Sequence, residues 1–273
     1  LNSSKITEVS PLNSFFCILC RLRDIVTVNG CHLLHSPEGI DLLLQLLTKT
    51  DHFTFHASAS ADCLIRFLLC DQMIDTVKAA GFNAVRIPVT WGEHMAADGT
   101  IDAAWMSRVK EVVDYAYNDG LYVILNVHHD DELWLVPTKD KLESDKATLT
   151  TIWKQICATF QDYDHRLIFE GMNEPRVIGS AEEWTGGTQE SYDVINQLFQ
   201  AFVDTVRASG GSNTDRTVIV TDYAQSAEKN AIGGMIVPKD DHIIVSLHIY
   251  APWNFCGPDD TRADWGSDSD KQE

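Results

Sequence analysis

Five apolar, β-branched runs constrain this chain more than any other feature. They are FNAVRIPV, LYVILNV, LIFEGM, TVIVTD and HIIVSLHIY, and a helix-periodic segment precedes each. MIDTVKAAG reads as a helix closing on Gly81. IDAAWMSRVKEVVDYAYNDG spaces Ile101, Trp105, Val109, Val112 and Ala116 along one helical face and ends at Gly120. Further helices are expected near 144–161, 189–208 and 226–235. Strand alternating with helix implies parallel βαβ units, because a parallel neighbour is reached only through a crossover. LYVILNV lacks polar alternation, the pattern of a strand covered on both faces.

Two architectures fit that rhythm, a doubly wound open sheet and an eight-stranded barrel. RIPVTW, NVHHDD, GMNEPR, VTDY and LHIYAPW all end in polar or aromatic residues. An open sheet gathers its ligand groups at one switch point, usually behind a glycine-rich first turn, and no G-x-G-x-x-G is present. A barrel draws functional groups from the C-terminal ends of many strands, since all open on one face. The expected fold class is therefore α/β, an incomplete (β/α)8 TIM barrel with about five to six recognisable βα units.

Composition divides the chain. All seven Trp and all seven Tyr lie beyond residue 70, and nearly the whole net charge of −19 falls there too. Residues 1–71 are an N-terminal segment with no assignment, and 72–273 hold the barrel units. The acidic balance argues against nucleic acid and anionic membrane partners, which it would repel. No run approaches the roughly 18 apolar residues that span a bilayer. Cys17 and Cys20 form a C-x-x-C, without a second pair at zinc spacing or a βαβ context around it. No metal or cofactor is expected.

The strand ends supply the chemistry. Side chains alternate along a strand, so Asn126 and His128 share a face, while His129 is expected to point the other way. Ser246, His248 and Tyr250 share a face, as do Glu170, Met172 and Glu174. Asn173 should face away from Glu174 unless the backbone leaves strand geometry before Pro175. A carboxyl at a desolvated strand end gains proton affinity, which suits a general acid. Glu170, one pleat below, reads as a buried supporting group. The DDE run at 130–132 reads as a solvated loop. Trp91, Trp134 and Trp253 follow strand ends and are candidate sugar-stacking platforms, with simple packing as the alternative for each.

GFNAVRIPVTW, VILNVHH, LIFEGMNEPR and SLHIYAPWNF, in this order, resemble successive signatures of glycoside hydrolase family 5, over about residues 72–266. That family includes retaining endo-β-1,4-glucanases, mannanases and xyloglucanases. The resemblance implies that Glu174 is the acid/base that protonates the leaving oxygen. It implies that Asn173 binds the sugar 2-hydroxyl, that Arg86 steadies the nucleophile carboxylate, and that His128, His248 and Tyr250 line the subsite of cleavage. A β-1,4-linked polysaccharide substrate, a secreted location and a monomeric enzyme are implied with it. So is a nucleophilic glutamate ending the seventh strand. After LHIY, however, the chain offers a polar stretch in which Asp259, Asp260 and Asp264 precede any such strand. The five strands then correspond to the second through sixth of eight. The expectation is a truncated or misassembled frame that hydrolyses glycosides poorly as written.

Overall fold

The computed structural model describes residues 63–250 together with Cys256. Trp253, Cys17, Cys20, Asp259, Asp260 and Asp264 lie outside the described residues, as does most of 1–71. Five strands alternate with helices: β1 (Ala84–Ile87), β2 (Tyr122–Asn126), β3 (Leu167–Glu170), β4 (Val218–Val220) and β5 (Ile243–Val245). The helices are α1 (Cys63–Ala79), α2 (Ala103–Asn118), α3 (Leu142–Phe160), α4 (Gln189–Ala208) and the short α5 (Lys229–Gly234). Helix α1 starts ahead of Met73 and runs unbroken through the region where composition changes.

Every neighbouring pair is parallel, and the strand order is strictly sequential, β1-β2-β3-β4-β5. A doubly wound sheet must reverse its order at the switch point. This one never does, so it is a stretch of barrel wall.

Register explains which side chains face where. Arg86 pairs with Ile124, Ile124 with Ile168, Asn126 with Glu170, and Glu170 with Ile219. These residues occupy the inner face, where Ile124, Ile168 and Ile219 form a small apolar cluster below the polar groups. The alternate residues, such as Val123, Leu125, Leu167 and Phe169, face the helices and join the main core. Helix α4 contributes Ile195, Leu198, Phe199, Phe202 and Val206 to that core. Two helix starts are capped as their sequences suggest. Asp102 accepts from the Trp105 amide at 2.9 Å, and Thr188 accepts from that of Ser191 at 3.3 Å.

One glycine sets the distance between β3 and α4. A Cβ on Gly171 would lie 2.7 Å from the Phe202 ring and 2.9 Å from that of Phe199. Only glycine lets the helix sit that close behind the residues that follow β3. The Trp153 indole then donates to the Gly171 carbonyl at 3.1 Å, fixing the strand exit from below.

Candidate active site

Strand β3 ends at Glu170, and the chain leaves extended geometry at once. Glu174 has a φ of 39°, in the left-handed region. That departure resolves the parity conflict in the sequence, because Asn173 and Glu174 now both reach the mouth. The Asn173 amide N–H donates to the Val127 carbonyl at 2.9 Å, which ties this turn to the end of β2.

Arg86 and Glu170 form the buried base of the site. The Arg86 Nε donates to Glu170 Oε2 at 2.6 Å, and its Nη2 donates to Glu170 Oε1 at 3.0 Å and to Asn173 Oδ1 at 2.8 Å. Burial alone would raise the proton affinity of Glu170, but the Arg86 ion pair and a Gln225 hydrogen bond hold its carboxyl below the usual range. Glu170 is therefore an ionised support, wholly covered.

Glu174 stands above this base with partners of its own. Its Oε1 accepts from His248 Nδ1 at 2.7 Å and from the Tyr250 hydroxyl at 3.3 Å. A carboxylate only accepts, so the His248 proton sits on Nδ1. His248 Nε2 is buried and has no hydrogen-bond partner among the described residues. Burial raises the proton affinity of Glu174, yet the His248 hydrogen bond and charge, with Arg176 and Tyr250 behind them, outweigh it. The carboxyl is held below the ordinary glutamate range. That corrects the expectation of a raised value: this strand end is desolvated, but it is not without partners.

His128 lies where its strand parity places it. The Asn126 amide donates to its Nδ1 at 3.0 Å, the Asn126 side-chain oxygen accepts from the Val89 amide at 3.2 Å, and the His128 amide donates to the Val89 carbonyl at 2.9 Å. His129 does not point to the opposite face. Its ring meets His128 edge-on with centroids 4.5 Å apart, because β2 ends at Asn126 and a 3-10 turn begins at His129.

Two further expectations are corrected. Trp91 has 0% of its surface exposed, and its indole N–H donates to the Asn126 carbonyl at 2.9 Å, so it packs rather than presenting a face to sugar. The DDE run is not a solvated loop, since Asp130 and Asp131 are buried. Asp130 accepts from the amides of Trp91 at 3.0 Å and Gly92 at 2.7 Å and from the Trp134 indole at 2.7 Å, while Asp131 pairs with Arg176. Even with these partners, burial pushes both carboxyls up. Trp134 is half-buried, held by Asp130 beside the mouth.

Sequence reasoning passed over Arg176, Trp184 and Gln225. Arg176 donates to the Glu174 carbonyl at 3.2 Å and to Glu183 at 3.1 Å, and its guanidinium lies 4.6 Å from the ring of Trp184. Trp184 is 62% exposed. The signal for Arg176 was its place directly after NEP; Trp184 and Gln225 sit in turns without periodicity.

The arrangement thus joins a partly open carboxyl, a histidine and a tyrosine bonded to it, and an amide beside it at the open end of a barrel wall. The family model described as Cellulase (glycosyl hydrolase family 5) matches residues 55–273. The chain belongs to glycosyl hydrolase family 5. Among curated members, it is 47% identical over 196 residues to Endoglucanase A of Ruminococcus albus, covering 71% of this chain and 53% of that one. It is 46% identical over 202 residues to the Cellulase/esterase CelE of Acetivibrio thermocellus, with 73% and 25% covered. A GH5-4 broad specificity endoglucanase from Clostridium acetobutylicum superposes with a TM-score of 0.71 at 46% identity, over 74% of this chain and 62% of that one. A xyloglucan-specific family 5 endo-β-1,4-glucanase, XEG5A, from a metagenomic library and in complex with cellotriose, gives 0.70 at 43% identity, with 74% and 61% covered. The chain spans about half the length of the Ruminococcus relative and about three-fifths of these solved ones. Family 5 membership and the sequential parallel strands together make the fold a partial (β/α)8 barrel.

Proposed function

We propose that this chain carries the acid/base half of a retaining endo-β-1,4-glucanase site, with Glu174 as the acid/base. The observation that supports it most is the bonding of Glu174 to His248 and Tyr250 at the barrel mouth, next to Asn173. In the first step, Glu174 gives its proton to the glycosidic oxygen as the C1–O bond breaks and a second carboxylate attacks C1. In the next, Glu174 takes a proton from water as that water displaces the enzyme from C1. The second carboxylate must lie roughly 5–5.5 Å from the first for retention. Glu170 is not it, because both its oxygens are engaged by Arg86 and Gln225.

A negative nucleophile beside Glu174 would raise its proton affinity. The acid reading thus requires that second charge, because the His248 hydrogen bond and charge hold the carboxyl below the ordinary range. Arg86 takes the Asn173 side-chain oxygen, which leaves the amide N–H groups to donate to a sugar hydroxyl. Trp134 borders the cleft. The substrate class is β-1,4-glucan, with xyloglucan as the branched form favoured by the likeness to XEG5A. A polymer of that size is met outside the cell, where a secreted, monomeric enzyme works.

Reducing-sugar release from carboxymethylcellulose and from xyloglucan, by a form of the protein that also carries the second carboxylate, tests the reading. Release that disappears in Glu174→Gln supports it. No release from either polymer by that form removes the catalytic reading. Calorimetric binding of cellotetraose by the folded chain would then leave a binding site only.

A further inference from the structure

Three non-glycine residues among those described have a left-handed φ: Glu174 at 39°, Ala224 at 55° and Gln225 at 52°. Strain of this kind persists only where the surroundings enforce it. Two hydrogen bonds show that the two strained turns brace each other. The Ala224 amide donates to the Pro175 carbonyl at 3.0 Å, and the Val177 amide donates to the Tyr223 hydroxyl at 3.2 Å. Asp222 closes the second turn by accepting from the Ser226 amide at 2.9 Å.

Gln225 lies where these turns meet and has no exposed surface. Its Nε2 donates to Glu170 Oε1 at 3.1 Å and to Ser246 Oγ at 3.0 Å, and its Oε1 accepts from the Glu174 amide at 3.4 Å. Its main-chain carbonyl accepts from the His248 amide at 2.6 Å. One residue thereby holds the backbone of Glu174 and the backbone of His248, the two ends of the 2.7 Å side-chain hydrogen bond. It also joins the ends of β3, β4 and β5. A residue needed only to fill that volume would be apolar, since a buried amide is stable only when its groups are bonded.

We propose that Gln225 is a positioning residue, which fixes the Glu174–His248 pair by gripping the main chain of both. The inference rests on the reading of Glu174 as the acid/base, but its test does not require turnover. Around Glu174 the charged or titratable groups are His248, Tyr250 and Arg176, with the Arg86–Glu170 pair beyond Gln225.

Gln225→Met keeps the side-chain length and removes the side-chain amide that holds Glu174, while the main-chain carbonyl stays on the His248 amide. The Glu174 carboxyl is followed by carbon NMR through a pH titration of the intact chain, its signal identified by its loss in Glu174→Gln. The wild type titrates below ordinary glutamate. In Gln225→Met the pair loosens while burial remains, so the midpoint rises by about one pH unit. Ser246→Ala removes one acceptor from the amide and gives a smaller rise, which decides the matter should Gln225→Met fail to fold. A folded Gln225→Met whose Glu174 midpoint stays in place or falls overturns the proposal, as does an unmoved midpoint in Ser246→Ala. A shift seen here, while a form carrying both carboxylates releases no sugar, leaves the positioning role standing and removes the catalytic reading alone.

Discussion

Arg86 and Arg216 are both buried, one near the C-terminal end of β1 and one just before β4, and they bind opposite kinds of partner. Arg216 donates to the carbonyls of Phe160, Tyr163, Asp164 and Leu167 at 2.7–3.2 Å and to Asn213 Oδ1 at 2.8 Å, and it lies 4.6 Å from the Phe169 ring. All of its acceptors are neutral, and desolvation pulls its proton affinity down to about 10. Arg86 instead faces Glu170 and the side chain of Asn173. The lower arginine stitches the α3–β3 connection to β4 and carries no chemistry. The upper one keeps a carboxylate ionised beneath Glu174. Stability at the bottom and reactivity at the top is the division expected of a barrel.

The comparison is sharpened first by Arg86→Met. It leaves Glu170 buried and unpaired, a loss of about 3–5 kcal/mol at pH 7. In the wild type the Glu170 carboxyl is held below its ordinary value, so its contribution is present above that value and disappears on acidification. In the variant Glu170 protonates, so the deficit should shrink between pH 7 and pH 4 in urea denaturation. A deficit that does not change with pH would contradict the ion-pair account.

Arg216→Met comes next, with a loss of about 2–3 kcal/mol from orphaned carbonyls. Those acceptors do not titrate, so the same denaturation series should show an equal loss at both pH values. Glu174 should titrate as in the wild type; movement there would blur the distinction between the two ends.

The smallest effect concerns Asp222. Burial pushes its carboxyl up to about 7, and one oxygen has no partner among the described residues. A group protonated more readily when folded stabilises at low pH, and that contribution disappears as pH rises from about 4 towards 7. Asp222→Asn keeps an acceptor for Ser226 and removes the charge. Its Tm should rise by about 2–4 °C at pH 8, the scale of ~1 kcal/mol, and hardly change at pH 4.

The fold was legible because it depends on period. LYVILNV and IDAAWMSRVKEVVDYAYNDG state strand and helix through spacing alone, and α4 occupies the interval expected, Gln189–Ala208. Arg86, Asn173, Glu174, His248 and Tyr250 were legible as polar residues ending apolar strands, and the structure brings them into one network. Failures of expectation share a cause, which is that partners come from distant loops. Nothing near Asp130 in sequence says that the amides of Trp91 and Gly92 will enclose it. Nothing near Glu174 says that a histidine 74 positions on will lower its proton affinity rather than leave burial to raise it. Gln225 depends on a left-handed backbone, which no alternation of apolar residues announces.

Proton donation by Glu174 is tested most directly through the leaving group. Departure of glucan from glucan needs a proton, whereas dinitrophenolate leaves without one. In a form of the protein that carries both carboxylates, Glu174→Ala should therefore lower kcat/KM on carboxymethylcellulose by about 10²–10⁴-fold and leave the bond-breaking step on dinitrophenyl β-cellobioside nearly unchanged. An equal fall on both substrates, or no fall on the polymer, would contradict the assignment.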